Sequence, residues 1–157
     1  MKIVEVRNPT PIVPGAYLTG NIERVTDYEK SPPAMQVQRG ERMEHDTFPG
    51  EQGLMFNVRG KGLVVITSCA HAGVVNTTRH AQKVSGLQKV HAVMGGMHLT
   101  GVSPDIIQRT VSDIKAIGPD RIIPMHCTGF ETIASFSREM PGQFFYNTVG
   151  TEYTFAA

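Results

Sequence analysis

The stretch Leu63-Val64-Val65-Ile66-Thr67-Ser68-Cys69-Ala70-His71-Ala72-Gly73 decides how this chain is read. Its first five residues are aliphatic or β-branched and read as a strand. Small residues and a histidine follow, then a helical segment from about Val74 to Val84 that stops near Ser85-Gly86. The same grammar recurs twice. Val90-His91-Ala92-Val93-Met94 is a strand that continues through Gly95-Gly96-Met97 to His98. Ser103 then offers an N-cap, Pro104 fits the first helical position, and Ile106, Ile107, Val111, Ile114 and Ile117 recur at helical spacing until Gly118 ends the run. Arg121-Ile122-Ile123-Pro124-Met125 is the next strand and leads into His126-Cys127, with a helix from about Gly129 to Glu139. Strands alternating with helices of this length pair in parallel through right-handed crossovers.

Upstream, Gly53-Leu54-Met55-Phe56-Asn57-Val58 is joined to the opening stretch by the Gly-rich turn Arg59-Gly60-Lys61-Gly62, which makes an antiparallel hairpin. The fold class is therefore α/β, a mixed sheet with βαβαβ crossovers. Residues 51–157 form the regular unit, and residues 1–50 hold short strands and a long irregular loop, all in a single domain. In the irregular part Met1–Val6 and Ala16–Thr19 read as short strands, and Gly20–Gly50 as an excursion over the surface, broken by Ser31-Pro32-Pro33. Phe144–Tyr146 and Glu152–Phe155 are expected to close the chain as short strands.

Composition narrows the function classes. The formal charge is +1 and the Lys and Arg residues do not cluster, so there is no electrostatic footprint for nucleic acid or an anionic membrane. No apolar run approaches the roughly 20 residues that span a bilayer, and the N-terminus lacks a signal-peptide pattern. Two cysteines, Cys69 and Cys127, build no disulfide framework. A reduced, cytoplasmic setting is the expectation.

In an open parallel sheet ligands bind beyond the carboxyl ends of the strands, where the loops converge. Three successive strands leave a histidine there: His71, His98 and His126. Glycines and other small residues beside them, at Ala72-Gly73, Gly95-Gly96 and Thr128-Gly129, allow close approach of backbone to a ligand. Neutral imidazole is the commonest metal ligand, so these three are candidate ligands of a divalent metal with one position left for an activated water. The plainer alternative is three polar rim residues that each find a hydrogen bond. For His45, His80 and His91, and for the loop acids Asp46 and Glu51, that plainer reading is preferred. A Cys/His nucleophile from Cys69 or Cys127 is conceivable, but no third orienting group is evident. No phosphate loop or dinucleotide fingerprint occurs.

Three segments taken together resemble a known family. Ser68-Cys69-Ala70-His71-Ala72-Gly73-Val74-Val75-Asn76, Gly95-Gly96-Met97-His98-Leu99 and Pro124-Met125-His126-Cys127-Thr128-Gly129-Phe130-Glu131 are similar to the metallo-β-lactamase superfamily. The branch is the dihydropterin ribofuranosyl-aminobenzene-phosphate synthase-like one. The likeness extends to Pro14–Arg24 and Glu51–Leu54. It implies half of an αβ/βα sandwich, His71 and His126 as metal ligands, and His98 near the place of a bridging aspartate. It also implies that Arg24 lies close to the substrate cleft. The His-x-His-x-Asp-His motif that defines the superfamily does not occur in the chain. The expectation is a metal-dependent hydrolase unit for a small-molecule substrate, with zinc first and iron or manganese as alternatives. Its metal site would be incomplete on its own, so a homo-oligomer or a companion chain is expected to complete it. The competing expectation is a non-catalytic binding or assembly module that keeps half the fold.

Overall fold

The αL residue Gly118 and the capped Ser103 mark the ends of the most regular helix, and both act as the sequence predicts. In the computed structural model, which describes residues 3–155, the Ser103 side chain accepts a hydrogen bond from the Ile106 amide, and Gly118 closes the helix at φ 69°. The elements in chain order are β1 (Thr10–Val13), β2 (Ala16–Leu18), β3 (Gln36–Arg39), β4 (Arg42–His45), β5 (Leu54–Val58), β6 (Gly62–Thr67), α1 (Val74–Ser85), β7 (Val90–Gly96), α2 (Pro104–Ile117), β8 (Arg121–Met125) and α3 (Phe130–Glu139). A 3₁₀ turn, His126–Thr128, precedes α3.

Six strands form one sheet in the order β1-β2-β5-β6-β7-β8. The β1-β2, β2-β5 and β5-β6 pairs are antiparallel, and β6-β7 and β7-β8 are parallel. This is the mixed sheet with βαβαβ crossovers that the alternation of elements implies. All three helices lie on one face. Val74 and Val75 of α1, Ile107, Val111 and Ile114 of α2, and Phe136 of α3 pack on Val90, Val93 and Ile122 of the sheet. Phe136 is completely buried, and a side chain of that size stabilises by about 1.5–3 kcal/mol relative to exposure. On the opposite face Phe56, Val58, Val64, Ile66 and Met94 line a groove of about 560 Å³ with Tyr153 and Phe155.

Four expectations are corrected. Residues 3–6 of the Met1–Val6 strand run unpaired, with Ile3 and Val4 exposed, while Met1 and Lys2 lie outside the described residues. The Gly20–Gly50 excursion is not wholly irregular, because β3 and β4 pair there as a separate hairpin. Its strands, QVQR and RMEH, are almost entirely exposed. No apolar alternation betrays it, and its backbone ladder is joined by an exposed Arg39–Glu44 ion pair and by the contact of His45 with Ser31. Phe144–Tyr146 shrinks to a single bridge between Phe144 and Ile122, and Glu152–Phe155 pairs with no strand among the described residues.

Candidate metal centre

Because β6, β7 and β8 are parallel, they end on one edge, at Thr67, Gly96 and Met125. The loops that leave this edge carry His71, His98 and His126. The rings of His71 and His98 lie 4.4 Å apart between centroids. Burial, followed by the neighbouring His71 and to a lesser degree His126, holds His98 below the ordinary imidazole range. An uncharged ring keeps a lone pair for a ligand. His126 turns toward the cysteines, with Nε2 3.2 Å from the Cys69 sulfur.

The strained backbone lies here too. Among the described residues Phe48, Ala70, His98 and His126 are the non-glycine positions at positive φ, between 49° and 59°. A left-handed conformation at such residues costs of order 1 kcal/mol or more each and persists only where surroundings impose it. Gly73, at φ +100°, opens α1 for a second reason. A Cβ there would lie 2.2 Å from the Glu29 carboxyl carbon.

Two acids not expected at the site organise it. The Glu51 side chain, 9% exposed, accepts from the His71 amide at 2.7 Å, from His71 Nδ1 at 2.9 Å and from the Ala72 amide. The reading of Glu51 as a solvated loop charge is therefore wrong. The register shows why: Leu54 pairs with Ile66 in antiparallel sense, so continuing the ladder sets Glu51 level with Cys69, on the histidine edge. A carboxylate acceptor at Nδ1 fixes the proton there and leaves Nε2 as the free donor atom. Phe48 stacks on the same ring at 4.1 Å, so the imidazole is held from two sides. Glu29, buried, receives the Val75 and Asn76 amides at 2.9 and 2.8 Å. It caps α1, which has no side-chain cap of its own. Burial raises the Glu29 pKa above the usual carboxylate value, partly offset by those amides. No local sequence signal pointed to Glu29, since the contact spans more than forty residues.

Arg24 lies against this site through its guanidinium. It donates to the carbonyls of Glu29 at 3.0 Å, Thr47 at 2.7 Å and His71 at 3.2 Å. That geometry ties three loops together at the rim. The remaining histidines stay outside. His80 Nε2 lies 3.2 Å from the Thr19 carbonyl, and His91, buried at the start of β7, pairs with Asp120 at 2.7 Å. His45 Nε2 lies 2.9 Å from the Ser31 hydroxyl, while Asp46 accepts the Phe48 amide at 2.8 Å. Beside His71 and His98 a small cavity of about 50 Å³ is lined by Glu29, Ala70, Met97 and Leu99. It has room for a water or two and none for an organic substrate.

The donor set suits a divalent metal. Among the described residues the ligating atoms that gather within 4.8 Å of one another are the sulfurs of Cys69 and Cys127 and a ring nitrogen of His126, while His71 and His98 join no such group of three. Burial pushes the Cys127 thiol up, with nearby Cys69 adding to it, which argues against that cysteine as a free nucleophile. Among the described residues no hydrogen bond reaches the other nitrogen of His126, so a Cys69–His126 relay has no third member.

Sheet order, helix placement and this edge together define a metallo-β-lactamase-type fold. The chain superposes on the crystal structure of Tm1679, a metal-dependent hydrolase of the β-lactamase superfamily, with a TM-score of 0.87 and 29% identity, over 99% of this chain and 59% of that one. In sequence it is 34% identical, over 88% of its length, to the 7,8-dihydropterin-6-methyl-4-(β-D-ribofuranosyl)-aminobenzene-5'-phosphate synthase of Methanocaldococcus jannaschii. It is 30% identical, over 92% of its length, to an uncharacterized protein of the same organism. The chain spans about half the length of these two relatives, 48% and 52%. No protein-family model matches it. Among the described residues no helix is long and apolar enough to cross a membrane.

Proposed function

We propose that this chain is a metal-dependent catalytic unit of the metallo-β-lactamase type, with His71, His98 and His126 as its metal ligands. The observation that carries the reading is the anchoring of His71. A nearly buried carboxylate fixes its Nδ1, an aromatic ring fixes its plane, and its ring meets that of His98 at 4.4 Å. Ligand histidines are held this way because an oriented, more basic imidazole binds metal more tightly. A bound divalent ion, with zinc first and iron or manganese also suited to imidazole, would supply Lewis acidity for the attack of water on an ester-like electrophile.

The chain's own residues do the rest. Glu51 orients His71, Arg24 braces the loops that carry it, and the 50 Å³ recess beside the rings leaves the small-molecule substrate to bind on the open side of the rim. The chain lacks the His-x-His-x-Asp-His motif, so full coordination draws on residues outside this stretch, in a further segment, a second copy or a companion chain. The synthase name of one relative favours a second reading, in which the same site joins two substrates rather than admitting water.

Elemental analysis of the purified protein tests the proposal, combined with size measurement in solution. Near-stoichiometric divalent metal, lost when His71→Ala and His126→Ala are combined, is the expected result. Turnover of generic phosphodiesters or lactones separates hydrolysis from synthesis. No retained metal, and no affinity for added zinc or manganese, overturns the reading in favour of a binding or assembly module.

A further inference from the structure

We infer that Cys69, His126 and Cys127 form a sulfur-rich metal site that this chain can assemble from its own residues. The inference rests on the reading above only in using His126. Nε2 of His126 lies 3.2 Å from the Cys69 sulfur, and the three donor atoms fall within 4.8 Å of one another. Ligand atoms around one tetrahedral zinc stand about 3.3–3.8 Å apart, given bonds of about 2.3 Å to sulfur and 2.0–2.1 Å to nitrogen. Small side-chain shifts therefore close the set on an ion.

The fold provides the room. Gly96 ends β7 against this cluster, and a Cβ there would lie 3.0 Å from the Cys127 sulfur and 3.1 Å from a His126 ring carbon. Cys127 is fixed from the other side, because its carbonyl accepts the Leu99 and Thr100 amides at 3.0 and 3.3 Å. His126 itself is exposed, so an ion has a path in. Two thiolates with one imidazole select a borderline-soft ion such as zinc over magnesium or calcium. Binding exchanges two S–H bonds for two metal–sulfur bonds, releases two protons to solvent and changes no oxidation state. The fourth position stays open, as in catalytic rather than structural zinc sites.

Cobalt titration of the whole, reduced chain tests this, because thiolate-to-cobalt charge transfer in the near-ultraviolet reports sulfur ligation directly. The expected result is a band that saturates near one cobalt per chain. Cys69→Ser or Cys127→Ser alone should cut its intensity by about half, since each thiolate contributes. Cys69→Ser with Cys127→Ser should abolish it, and His71→Ala with His98→Ala should leave it in place. Far-ultraviolet circular dichroism of each variant separates ligand loss from unfolding. Cobalt bound without the sulfur band, and released by His71→Ala, overturns the sulfur site and leaves the imidazole reading standing. A chain that takes up no cobalt overturns both.

Discussion

Replacing Glu51 by alanine removes an acceptor that serves three donors at once: the His71 amide, the Ala72 amide and His71 Nδ1. The carboxylate is 9% exposed and the His71 side chain 20% exposed, so water re-enters only in part. Hydrogen bonds to a charged group contribute about 1.5–3 kcal/mol each, and the partial rehydration reduces their sum, giving an expected loss of about 2–4 kcal/mol. The consequence for metal is separate. Freed from Glu51, the imidazole loses its fixed tautomer, and affinity should fall by about 10–100-fold, the usual effect of removing a carboxylate behind a ligand histidine. Urea denaturation of the metal-free chain reads the first effect, and chelator competition with zinc on the folded protein reads the second. Glu51→Gln keeps an acceptor for His71 but turns an amide donor toward the Ala72 N–H, so both effects should be smaller and of the same sign. A variant that unfolds more easily yet binds zinc within about twofold of the parent would refute the positioning argument and leave Glu51 as a loop anchor.

Three further outcomes follow from the loop docked on α1. Gly73→Ala should cost at least about 2 kcal/mol, because it combines strain at φ +100° with a carboxyl carbon 2.2 Å from the new Cβ; a urea midpoint close to the parent's would count against it. The raised Glu29 pKa means that the folded state favours its protonated form. Its contribution to stability is therefore complete below the ordinary carboxylate value and is lost as pH rises through the raised one. Urea midpoints measured from pH 4.5 upward should decline more in the parent than in Glu29→Gln, and parallel curves would remove the argument. Tyr28→Phe deletes the 2.7 Å bond to Asp113 and should cost about 1 kcal/mol. The 21–31 loop should also become easier to cleave in limited proteolysis, and an unchanged cleavage rate would contradict it.

The crossover unit was legible because its code is local. Leu63–Thr67, Val90–Met94 and Arg121–Met125 are short aliphatic and β-branched runs of strand length, Ser103 and Gly118 bound a helix, and parallel pairing through right-handed connections then leaves one carboxyl edge. His71, His98 and His126 could be assigned to that edge from order alone. The β3-β4 hairpin was not legible, since its side chains carry no alternating pattern; of the expected closing strands one keeps a single bridge, Phe144 to Ile122, and the other has no strand partner among the described residues.

What the sequence determined by itself was the α/β class, the edge and the three imidazoles upon it, because periodicity, caps and chain order are short-range properties. Only the tertiary structure decided which groups act on those imidazoles. Glu51 reaches His71 through a strand register, Glu29 caps α1 across more than forty residues, and Cys69 meets His126 and Cys127 across the sheet. Such contacts arise where separate backbone segments converge, and hydrogen-bonding or ligating groups far apart in sequence leave no mark in the spacing of either.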